Sequence, residues 1–372
     1  MSTFEQYLQS QAAERDAAGL TRRVVAGVGH QAIDLAGNDY LGLRRDPAVI
    51  DAAVAALEYF GSGAGASRLV TGTWPIHEDL ETALAEHLQM ESALVFSTGY
   101  QANLAAMTAL ADDDTLIVSD AHNHASIIDG ARLSRAAVEV VPHGDLAAYE
   151  RALQERTQAR AVIVIESIYS VFGDTSPVAE LADLAARYDA LLVVDEAHGL
   201  GVVGDHGEGR VASLGLAGAP HIVVTVSLAK ALSSQGGAVL GSDLVRSHLI
   251  NTARPFIYDT GLAPVSAGAA LGALDVLVER PSLAKEVREI MGELAAACGV
   301  PTPAGAVLSV AMPGPREALA AVDVCAAHGV RIGCFRPPST PDGSSRLRLT
   351  AHAGLSAKDV EHCARVLRTV SR

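Results

Sequence analysis

The sequence predicts an α/β protein in which a mostly parallel, seven-stranded sheet precedes a smaller α+β domain. Seven short apolar runs occur between positions 93 and 240, and segments with helical patterning separate them, which is typical of a wound sheet. Several runs are continuous Val, Ile and Leu, as expected for strands that helices cover on both faces. The predicted strands are Ala93–Phe96, Thr115–Val118, Val138–Val141, Val162–Ile165, Leu191–Val194, Ile222–Val226 and Ala238–Leu240.

The segments on either side of this sheet have other patterns. The chain to about Gly37 is predicted to be a helical arm and a short extended piece, and an Ala-rich helix is predicted over 264–279. After a proline-rich break, strand-like runs alternate with helices, and Ser356 with Asp359 three residues later indicates a capped last helix. The late strands are predicted at Ala306–Met312, Val330–Phe335 and Arg346–Thr350. We therefore expect an N-terminal segment (1–47), a large domain (48–263) and a small α+β domain (264–372).

The composition argues against several classes of function. The formal net charge is −15 and the pI is about 5.3, so nucleic acid and anionic membranes are not expected as partners. The polar N-terminus lacks the apolar core of a signal peptide, and no apolar run is long enough to suggest a membrane helix. The four cysteines form no CxxC pair and are expected to be reduced, structural thiols. A cytoplasmic location is therefore expected.

Polar residues follow five of the predicted strands. In open α/β sheets, ligands bind at the carboxyl ends of the strands, so these residues are expected to meet at one edge. Each cluster alone has an ordinary explanation, because polar residues often end strands. A lysine, an aspartate and histidines at the same edge favour a functional site. The clusters are Ser97–Tyr100, Asp120–His124, Glu166–Ser170, Asp195–Gly199 and Ser227–Lys230.

Lys230 is the candidate catalytic amine. The chain has only three lysines, and Lys285 and Lys358 lie in amphipathic helical segments with acidic neighbours, where solvated positions are expected. Lys230 lies between an apolar run and a Gly-rich run, with no carboxylate nearby in the sequence. A desolvated lysine has a lowered pKa and attacks carbonyl groups readily. The alternative is a lysine that extends its amine to solvent at a strand exit.

Asp195 ends the apolar run LLVV and is expected to be deeply placed. A buried carboxylate is costly unless it is paired. A pyridine nitrogen is a suitable partner, because the ion pair keeps the ring protonated and able to accept electrons. Lys230 and Asp195 together predict a pyridoxal-phosphate (PLP) enzyme whose cofactor is held on Lys230 as a Schiff base. The alternative for Asp195 alone is a structural residue that caps the following turn.

Three further patterns favour different functions less well. The residues at 195–198 spell DEAH, but no Gly-Lys dipeptide supplies the phosphate loop that a helicase needs. The glycines at 61–65 follow a helical stretch and not a strand, which argues against a dinucleotide site. His122 and His124 have no third and fourth ligand at a recognisable spacing, so no metal is expected. A position against a planar ring suits His124 better.

With Lys230 and the segment Asp195–Gly199, the chain resembles the α-oxoamine synthases, a family of fold type I PLP enzymes. The resemblance covers nearly the whole chain, and the matching motifs occur in the order found in the family. The other matching segments are Asn38–Leu43, Gly61–Gly63, Thr71–His77, Ser126, Arg336–Pro338 and Arg346–Thr350. This resemblance implies a fold type I transferase whose large domain holds PLP.

The resemblance implies roles for the residues around the cofactor ring. Lys230 would carry the cofactor, Asp195 would pair with the ring nitrogen, and His124 would stack on the ring. His198 and Ser170 would lie near the phenolic oxygen of the cofactor. These implied contacts make Lys230, His198, Asp195 and His124 the expected catalytic residues.

The resemblance also implies a phosphate site that two subunits share. Gly99, Tyr100 and Ser227 would hold the phosphate, and Thr260 would reach it from a second subunit, so that a homodimer is expected. Ser227 stands where the family usually has Thr, and Asp259 lies beside Thr260. The other departures from the family pattern are Ala229 for Ser or Gly, Ser233 for Gly and Phe172 for Asp.

The substrate-binding residues implied by the resemblance are arginines and an asparagine. Arg348 would bind the carboxylate of the amino-acid substrate bidentately, helped by Asn38. The family Arg that is associated with the acyl carboxylate corresponds to Thr21 here, and Arg22 and Arg23 follow directly. We therefore expect Arg22 or Arg23 to take that role.

The implied reaction is a decarboxylative condensation of L-alanine with pimeloyl-CoA, or with a pimeloyl carrier protein, that releases CO2 and the thiol. One alternative is a sibling enzyme that uses glycine or serine, or a shorter acyl group. A second is a fold type I aminotransferase, which would release no CO2. A third is a PLP-binding sensor without catalysis, against which the lack of a basic DNA-binding segment argues.

Overall fold

Two β-sheets organise the chain in the computed structural model, which describes residues 2–22, 24 and 32–371. The strands are β1 (Ile33–Leu35), β2 (Ser92–Phe96), β3 (Thr115–Asp120), β4 (Ala137–Val141), β5 (Arg160–Glu166), β6 (Leu191–Asp195), β7 (Ile222–Ser227), β8 (Gly237–Gly241), β9 (Val307–Ala311), β10 (Val330–Phe335) and β11 (Arg346–Thr350). The α-helices are α1 (Thr3–Ala17), α2 (Pro47–Phe60), α3 (Pro75–His87), α4 (Gly99–Leu110), α5 (Ala125–Ser134), α6 (Leu146–Glu155), α7 (Val178–Arg187), α8 (Arg210–Ser213), α9 (Asp243–Thr252), α10 (Arg254–Ile257), α11 (Pro264–Glu279), α12 (Ser282–Cys298), α13 (Pro315–Ala327) and α14 (Ala357–Val370).

The larger sheet has seven strands in the order β2-β8-β7-β6-β5-β3-β4. Strands β4, β3, β5, β6 and β7 pair in parallel, and β8 runs antiparallel to both of its neighbours, β2 and β7. All seven predicted strands are present, so the predicted fold class is confirmed. The reversed direction of β8 was not predicted, because an apolar run buried on both faces carries no signal of strand direction.

Both faces of the interior strands of this sheet are buried, which explains their continuous apolar runs, whereas the edge strand β4 is largely exposed. In β5, Val162 and Val164 pack with α4, α5, α9 and α10 on one face. Ile163 and Ile165 pack with α3, α6, α7 and α11 on the other. Full burial of such a side chain stabilises the fold by about 1.5–3 kcal/mol. The helices on both faces leave the carboxyl edge of the parallel strands as the place where polar residues gather.

The smaller sheet has the order β1-β10-β11-β9. The three predicted late strands are confirmed, and β11 pairs antiparallel with both β10 and β9. The extended piece predicted near the N-terminus is β1, which pairs in parallel with β10 through Ile33 and Val330. The N-terminal segment thus completes a sheet formed mostly by the last part of the chain. The division at 47/48 and 263/264 stays a prediction.

The helix termini and the thiols agree with the sequence. Ser356 caps α14, and its hydroxyl oxygen accepts a hydrogen bond from the Asp359 amide at 3.2 Å, as predicted. All four cysteines are free. Burial raises the pKa of Cys325 to about 11 and that of Cys363 to about 12, so these thiols are structural. Among the described residues, no helix is both long enough and apolar enough to cross a membrane.

Candidate active site

A cavity of about 250 Å³ opens at the carboxyl ends of the parallel strands. Each of the five polar clusters predicted from the sequence contributes to its wall, so the predicted convergence at one sheet edge is confirmed. The lining residues are Thr98, Gly99, Tyr100, Asn103, His124, Ser126, Glu166, Asp195, Ala197, His198, Val226, Ser227, Ala229, Lys230, Gln235 and Gly236.

Asp195, at the end of β6, is buried and held by two hydrogen bonds. One carboxylate oxygen accepts from the Ala197 amide at 2.8 Å, and the other accepts from the Asn103 side-chain amide at 2.7 Å. Asn103 is fixed in turn by Ser126 at 2.9 Å and Thr225 at 2.7 Å. Asn103 was not predicted from the sequence, although a buried asparagine among the alanines of α4 was a usable signal. This network presents a fixed carboxylate to the cavity.

Glu166 ends the neighbouring strand β5 and pairs with Asp195 in the sheet register. Burial, together with the nearby Asp195 carboxylate, raises the pKa of Glu166 well above its ordinary value. One of its oxygens accepts a hydrogen bond from the Ser170 amide at 3.2 Å. The sequence indicated the cluster but gave Glu166 no role of its own.

Lys230 lies in the turn after β7, with its Nζ atom 2.9 Å from His198 Nε2. Burial lowers the pKa of Lys230 to about 8, although Asp195 and Glu166 oppose the shift. The fold thus brings to Lys230 the carboxylates that its sequence neighbourhood lacks. Burial, followed by the charge of Lys230, lowers the pKa of His198 well below its usual value, so the imidazole is neutral. This amine is poised to react with a carbonyl group near neutral pH.

His124 caps the N-terminus of α5, and its Nδ1 atom lies 2.8 Å from the Ser126 hydroxyl. Burial lowers the pKa of His124 below its ordinary value, which favours a neutral ring in the cavity wall. Tyr100 makes an edge contact with this ring, with centroids 6.4 Å apart, and its hydroxyl donates to Asp129. A neutral imidazole held at the cavity wall fits a planar aromatic cofactor.

The N-terminus of α4 forms one end of the cavity. Gly99 begins this helix, and a Cβ atom at Gly99 would lie 3.1 Å from Cβ of Ser227, so a side chain there would crowd the end of β7. The free amides and positive dipole end of a helix N-terminus bind phosphate well. With Gly99, Tyr100 and Ser227 at this end and Asp195 in the wall, the cavity fits PLP.

Arg348 on β11 reaches the same region from the small sheet. Its Nε atom donates to the Ser170 carbonyl oxygen at 2.6 Å, and its Nη1 atom donates to Asn38 Oδ1 at 3.1 Å. The guanidinium is buried, and its charge lowers the pKa values of both Lys230 and His198. The structure thus brings Arg348, Asn38 and Ser170 together, and their roles toward substrate and cofactor stay predictions.

Of the remaining predicted site residues, Arg22 and Thr260 do not line this cavity. Arg22 donates to the Ser339 hydroxyl at 2.9 Å and shares a separate cavity of about 310 Å³ with Arg336 and Phe335. Arg23 lies outside the described residues. Thr260 is exposed and is not among the residues that line the cavity within one chain.

Three departures from the family pattern have structural explanations. Ser233 has a positive φ of 51°, a conformation that favours glycine, and its hydroxyl donates to Asp39. Phe172 lies under the Arg346 guanidinium, 4.4 Å from the ring centroid, and does not line the cavity. Ala229 lines the cavity and also a second one of about 410 Å³, which Lys230 shares. Lys230 is therefore accessible from two cavities.

A histidine bridges two carboxylates next to the site. His143 Nδ1 lies 2.8 Å from Asp120, at the end of β3, and Nε2 lies 2.5 Å from Asp174, in the loop that carries Ser170. Burial opposes protonation of His143, but the hydrogen bonds to both carboxylates outweigh it and raise its pKa to about 9. In the same loop, a Cβ atom at Gly173 would lie 1.9 Å from the Val307 carbonyl oxygen. The loop is thus held between the two sheets.

The sequence predicted no metal site at His122 and His124, and the same cluster shows which possible ligands the fold brings to His122. His122 stacks on His143 with centroids 3.9 Å apart, and ligand atoms of Asp120, His122 and His143 lie within 4.8 Å of one another. The fold therefore supplies neighbours that the sequence spacing did not show. Both His143 nitrogens, however, make hydrogen bonds to carboxylates, and a metal would have to displace these protons.

We expect the His143 bridge to stabilise the fold in a pH-dependent way. Its pKa in the folded state, about 9, lies above the unfolded value of about 6.5, so the contribution is complete below pH ~6.5 and is lost as the pH rises through 9. His143→Gln should lower the thermal midpoint by an amount worth roughly 1 kcal/mol at pH 6 and little at pH 10. Thermal unfolding of both proteins at several pH values measures this difference.

The matched control for that experiment is His248→Gln. His248 is exposed, and its ring contacts the backbone carbonyl oxygen of Ala109 at 2.8 Å. Its replacement measures the cost of losing a histidine side chain that contacts a carbonyl oxygen. A His143→Gln difference in thermal midpoint that is the same at pH 6 and pH 10 would contradict a His143 that carries both protons between Asp120 and Asp174.

Comparisons with known proteins agree with this geometry. The family model for aminotransferase class I and II matches residues 30–367. The 8-amino-7-oxononanoate synthase of Mycolicibacterium gilvum (strain PYR-GCK) is 54% identical over 360 residues, which are 96% of this chain and 94% of that protein. The enzyme of the same name from Mycobacterium sp. (strain JLS) is 52% identical and covers 98% of this chain and 96% of its own.

Solved structures share the same architecture. A serine palmitoyltransferase from Sphingomonas wittichii superposes with a TM-score of 0.90 at 28% identity, covering 99% of this chain and 97% of that one. The match spans both sheets of the chain. From the matching family model and the relatives above 50% identity over nearly the full length, we conclude that the chain belongs to the aminotransferase class I and II family and, within it, to the 8-amino-7-oxononanoate synthases.

Proposed function

We propose that this protein condenses L-alanine with pimeloyl-CoA, or with a pimeloyl carrier protein, to give 8-amino-7-oxononanoate, CO2 and the free thiol in biotin biosynthesis. The observation that carries the proposal is a single cavity that Lys230, the buried Asp195 and the N-terminus of α4 line together. The name shared by relatives above 50% identity supports the choice of substrates.

The cofactor is pyridoxal 5′-phosphate, which supplies a carbonyl group for amine exchange and a pyridinium ring that stores electrons. We assign its covalent attachment to Lys230 and the pairing of its ring nitrogen to Asp195. His124 would contact the ring, and His198 and Ser170 would lie towards its phenolic oxygen. The phosphate would be held at the α4 N-terminus, by Gly99, Tyr100 and Ser227.

The chain's own residues bind the amino acid and move its proton. Arg348 has a donor-rich guanidinium that binds the alanine carboxylate, and Asn38 holds that guanidinium in place. Lys230, with a pKa of about 8, is suited to take the α-proton when its amine is free. The acyl thioester enters through the second cavity that Lys230 lines. A carbon–carbon bond forms to the thioester carbonyl, the carbon–sulfur bond breaks, and the alanine carboxylate leaves as CO2.

The acyl end and the assembly complete the proposal. We assign the distal carboxylate of the pimeloyl chain to Arg22, which shares a cavity with Arg336, or to Arg23, the next residue in the sequence. Thr260 is exposed, and we assign it to the phosphate site of a partner subunit, so the active form is a homodimer. We place this homodimer in the cytoplasm. Residues 48–263 form the domain that holds the cofactor, between the N-terminal segment and the small domain.

Mixing the purified holoenzyme with L-alanine and pimeloyl-CoA tests the activity. We expect stoichiometric release of free thiol and CO2 together with the amino-ketone product. Glycine and L-serine serve as competitors, because the structural likeness to serine palmitoyltransferase makes a serine-using sibling the main rival. A higher kcat/KM with serine or glycine than with alanine would assign the chain to that sibling activity.

An aminotransferase and a PLP sensor would each behave differently in the same assay. An aminotransferase would convert the cofactor to its amine form and release no CO2 from carboxyl-labelled alanine. A PLP sensor would bind the cofactor and alanine without releasing thiol. Either result would contradict the proposed condensation.

A further inference from the structure

A continuous chain of hydrogen bonds connects Arg348 to Lys230. Arg348 Nη1 lies 3.1 Å from Asn38 Oδ1, which lies 3.1 Å from the Tyr40 hydroxyl. The same hydroxyl lies 2.6 Å from His198 Nδ1, and His198 Nε2 lies 2.9 Å from Lys230 Nζ. Tyr40 and His198 are both buried, so water has little access to these bonds.

The arginine fixes the direction of every bond in this chain. A guanidinium only donates, so the Asn38 atom that faces it is the carbonyl oxygen, which only accepts. The Tyr40 hydroxyl must then donate its one hydrogen to Asn38. Its oxygen is left to accept, and His198 must therefore carry its proton on Nδ1.

The position of the His198 proton determines which hydrogen bond the Lys230 amine can make. A neutral imidazole protonated on Nδ1 has a bare lone pair on Nε2, and the neutrality of His198 follows from its burial beside Lys230 and Arg348. Nε2 then accepts an N–H from Lys230, and the lone pair of the amine stays free. With the proton on Nε2 instead, the Lys230 lone pair would be used to accept it.

We propose that Tyr40 is a positioning residue that holds His198 in the Nδ1-protonated form and so keeps the Lys230 lone pair available. The expected effect on kcat rests on the proposed function. The bond directions do not, because they follow from the geometry of the hydrogen bonds. The charged and titratable groups that act on Lys230 and His198 are Asp195, Glu166, Arg348 and His124. All four are left unchanged in the variants that test the proposal.

Tyr40→Phe removes the hydroxyl and keeps the ring. His198 Nδ1 then faces no acceptor, and a buried N–H without a partner is unfavourable, so the proton is expected to move to Nε2. The Lys230 ammonium then loses its acceptor, so the pKa of Lys230 should fall by about one unit. A fall of this size corresponds to the loss of one charge-assisted hydrogen bond of modest strength. In the holoenzyme, kcat should fall roughly tenfold or more, while KM for alanine changes little.

The pKa of Lys230 can be read without any turnover. Full-length protein freed of cofactor is labelled at its amines with a trace acylating reagent across pH 6 to 11, and the labelled peptides are quantified. Lys285 and Lys358, the other two lysines of the chain, serve as internal references. This readout separates the hydrogen-bond chain from the proposed reaction, because it does not depend on which substrates the enzyme uses.

Tyr149→Phe is the matched control. Tyr149 is also fully buried, and its hydroxyl donates to Asp120 at 3.1 Å, in the cluster around His143. Its loss should destabilise the fold by a similar amount and leave the pKa of Lys230 and the value of kcat unchanged. Equal values of both quantities in Tyr40→Phe and Tyr149→Phe would overturn the proposal.

Asn38→Ala provides a second, independent variant in case Tyr40→Phe folds poorly. Without the Asn38 oxygen, the Tyr40 hydroxyl turns its hydrogen to His198 Nδ1, and the proton moves to Nε2 as before. The pKa of Lys230 should again fall by about one unit. An unchanged or raised pKa of Lys230 in this variant would also contradict the assigned bond directions.

Discussion

Replacing Lys230 by alanine is expected to abolish turnover, with a loss of about 10⁴-fold or more in kcat. The change removes the covalent attachment point of the cofactor and the amine that takes the α-proton, and general-base catalysis alone contributes about 10²–10⁴-fold. The fold should persist, because Lys230 lines two cavities and the strands on either side of its turn are held by the sheet. Steady-state release of thiol and thermal unfolding measure the two effects.

The matched control is Lys285→Ala. Lys285 lies on the surface of α12, and its amine pairs with Glu289 one turn along the helix at 3.4 Å. Exposed pairs of this kind contribute about 0–1 kcal/mol, so activity and stability should remain close to those of the unchanged protein.

Reduction with borohydride tests the same assignment by chemistry alone. The reagent should fix the cofactor to the chain through a stable amine bond, and peptide mapping should find the label on the peptide that contains Lys230. With three lysines in the chain, the experiment has few possible outcomes. A label on Lys285 or Lys358, or no label in a protein that holds the cofactor, would refute the site.

The sequence predicted the large sheet well because its signal is local. A strand buried on both faces must be apolar at consecutive positions, as in Ile163–Ile165, whatever its neighbours are. The polar cluster at its end then follows from strand direction alone. For this reason Lys230, Asp195 and His198 could be placed at one edge from the sequence.

What the sequence did not show depends on contacts between distant parts of the chain. Tyr40 meets His198 only because β1 joins the small sheet and the segment that follows β1 reaches the large sheet. Lys230 has no acidic neighbour in the sequence, yet its pKa depends on Asp195 and Glu166 from other strands. Contacts between residues so far apart in the sequence produce no periodic pattern, so they cannot be predicted from it.

The structural surroundings of the residues that depart from the family pattern also could not be predicted from the sequence. Ser233 has a left-handed backbone that the sequence alone gave no reason to expect of a serine, and its bond to Asp39 is visible only in the fold. The bridge from His143 to Asp174 joins residues 31 positions apart and holds the loop of Ser170. Resemblance to a family identified the residues at the cavity, whereas the groups that orient them required coordinates.

Replacing Asp195 by asparagine is expected to have the second-largest effect on activity. The change keeps the shape of the side chain and its place at the end of β6 but removes the negative charge that would pair with the cofactor's ring nitrogen. Loss of one preorganised electrostatic contact of this kind lowers kcat by about 10²–10³-fold. The new amide also places an N–H opposite the donating amide of Asn103 or the Ala197 N–H, since Asp195 accepts from both.

Glu196→Gln is the control for this experiment, because Glu196 is the adjacent buried acid and does not line the cavity. Its carboxylate accepts from the Ser167 hydroxyl at 2.6 Å and the Val211 amide at 2.7 Å. In Glu196→Gln the new amide N–H would face one of these two donors, so the change should cost stability without a comparable loss of kcat. The measurements are kcat and cofactor affinity for Asp195→Asn and Glu196→Gln. Equal losses of both quantities in the two variants would mean that the Asp195 charge acts on the fold and not on the cofactor.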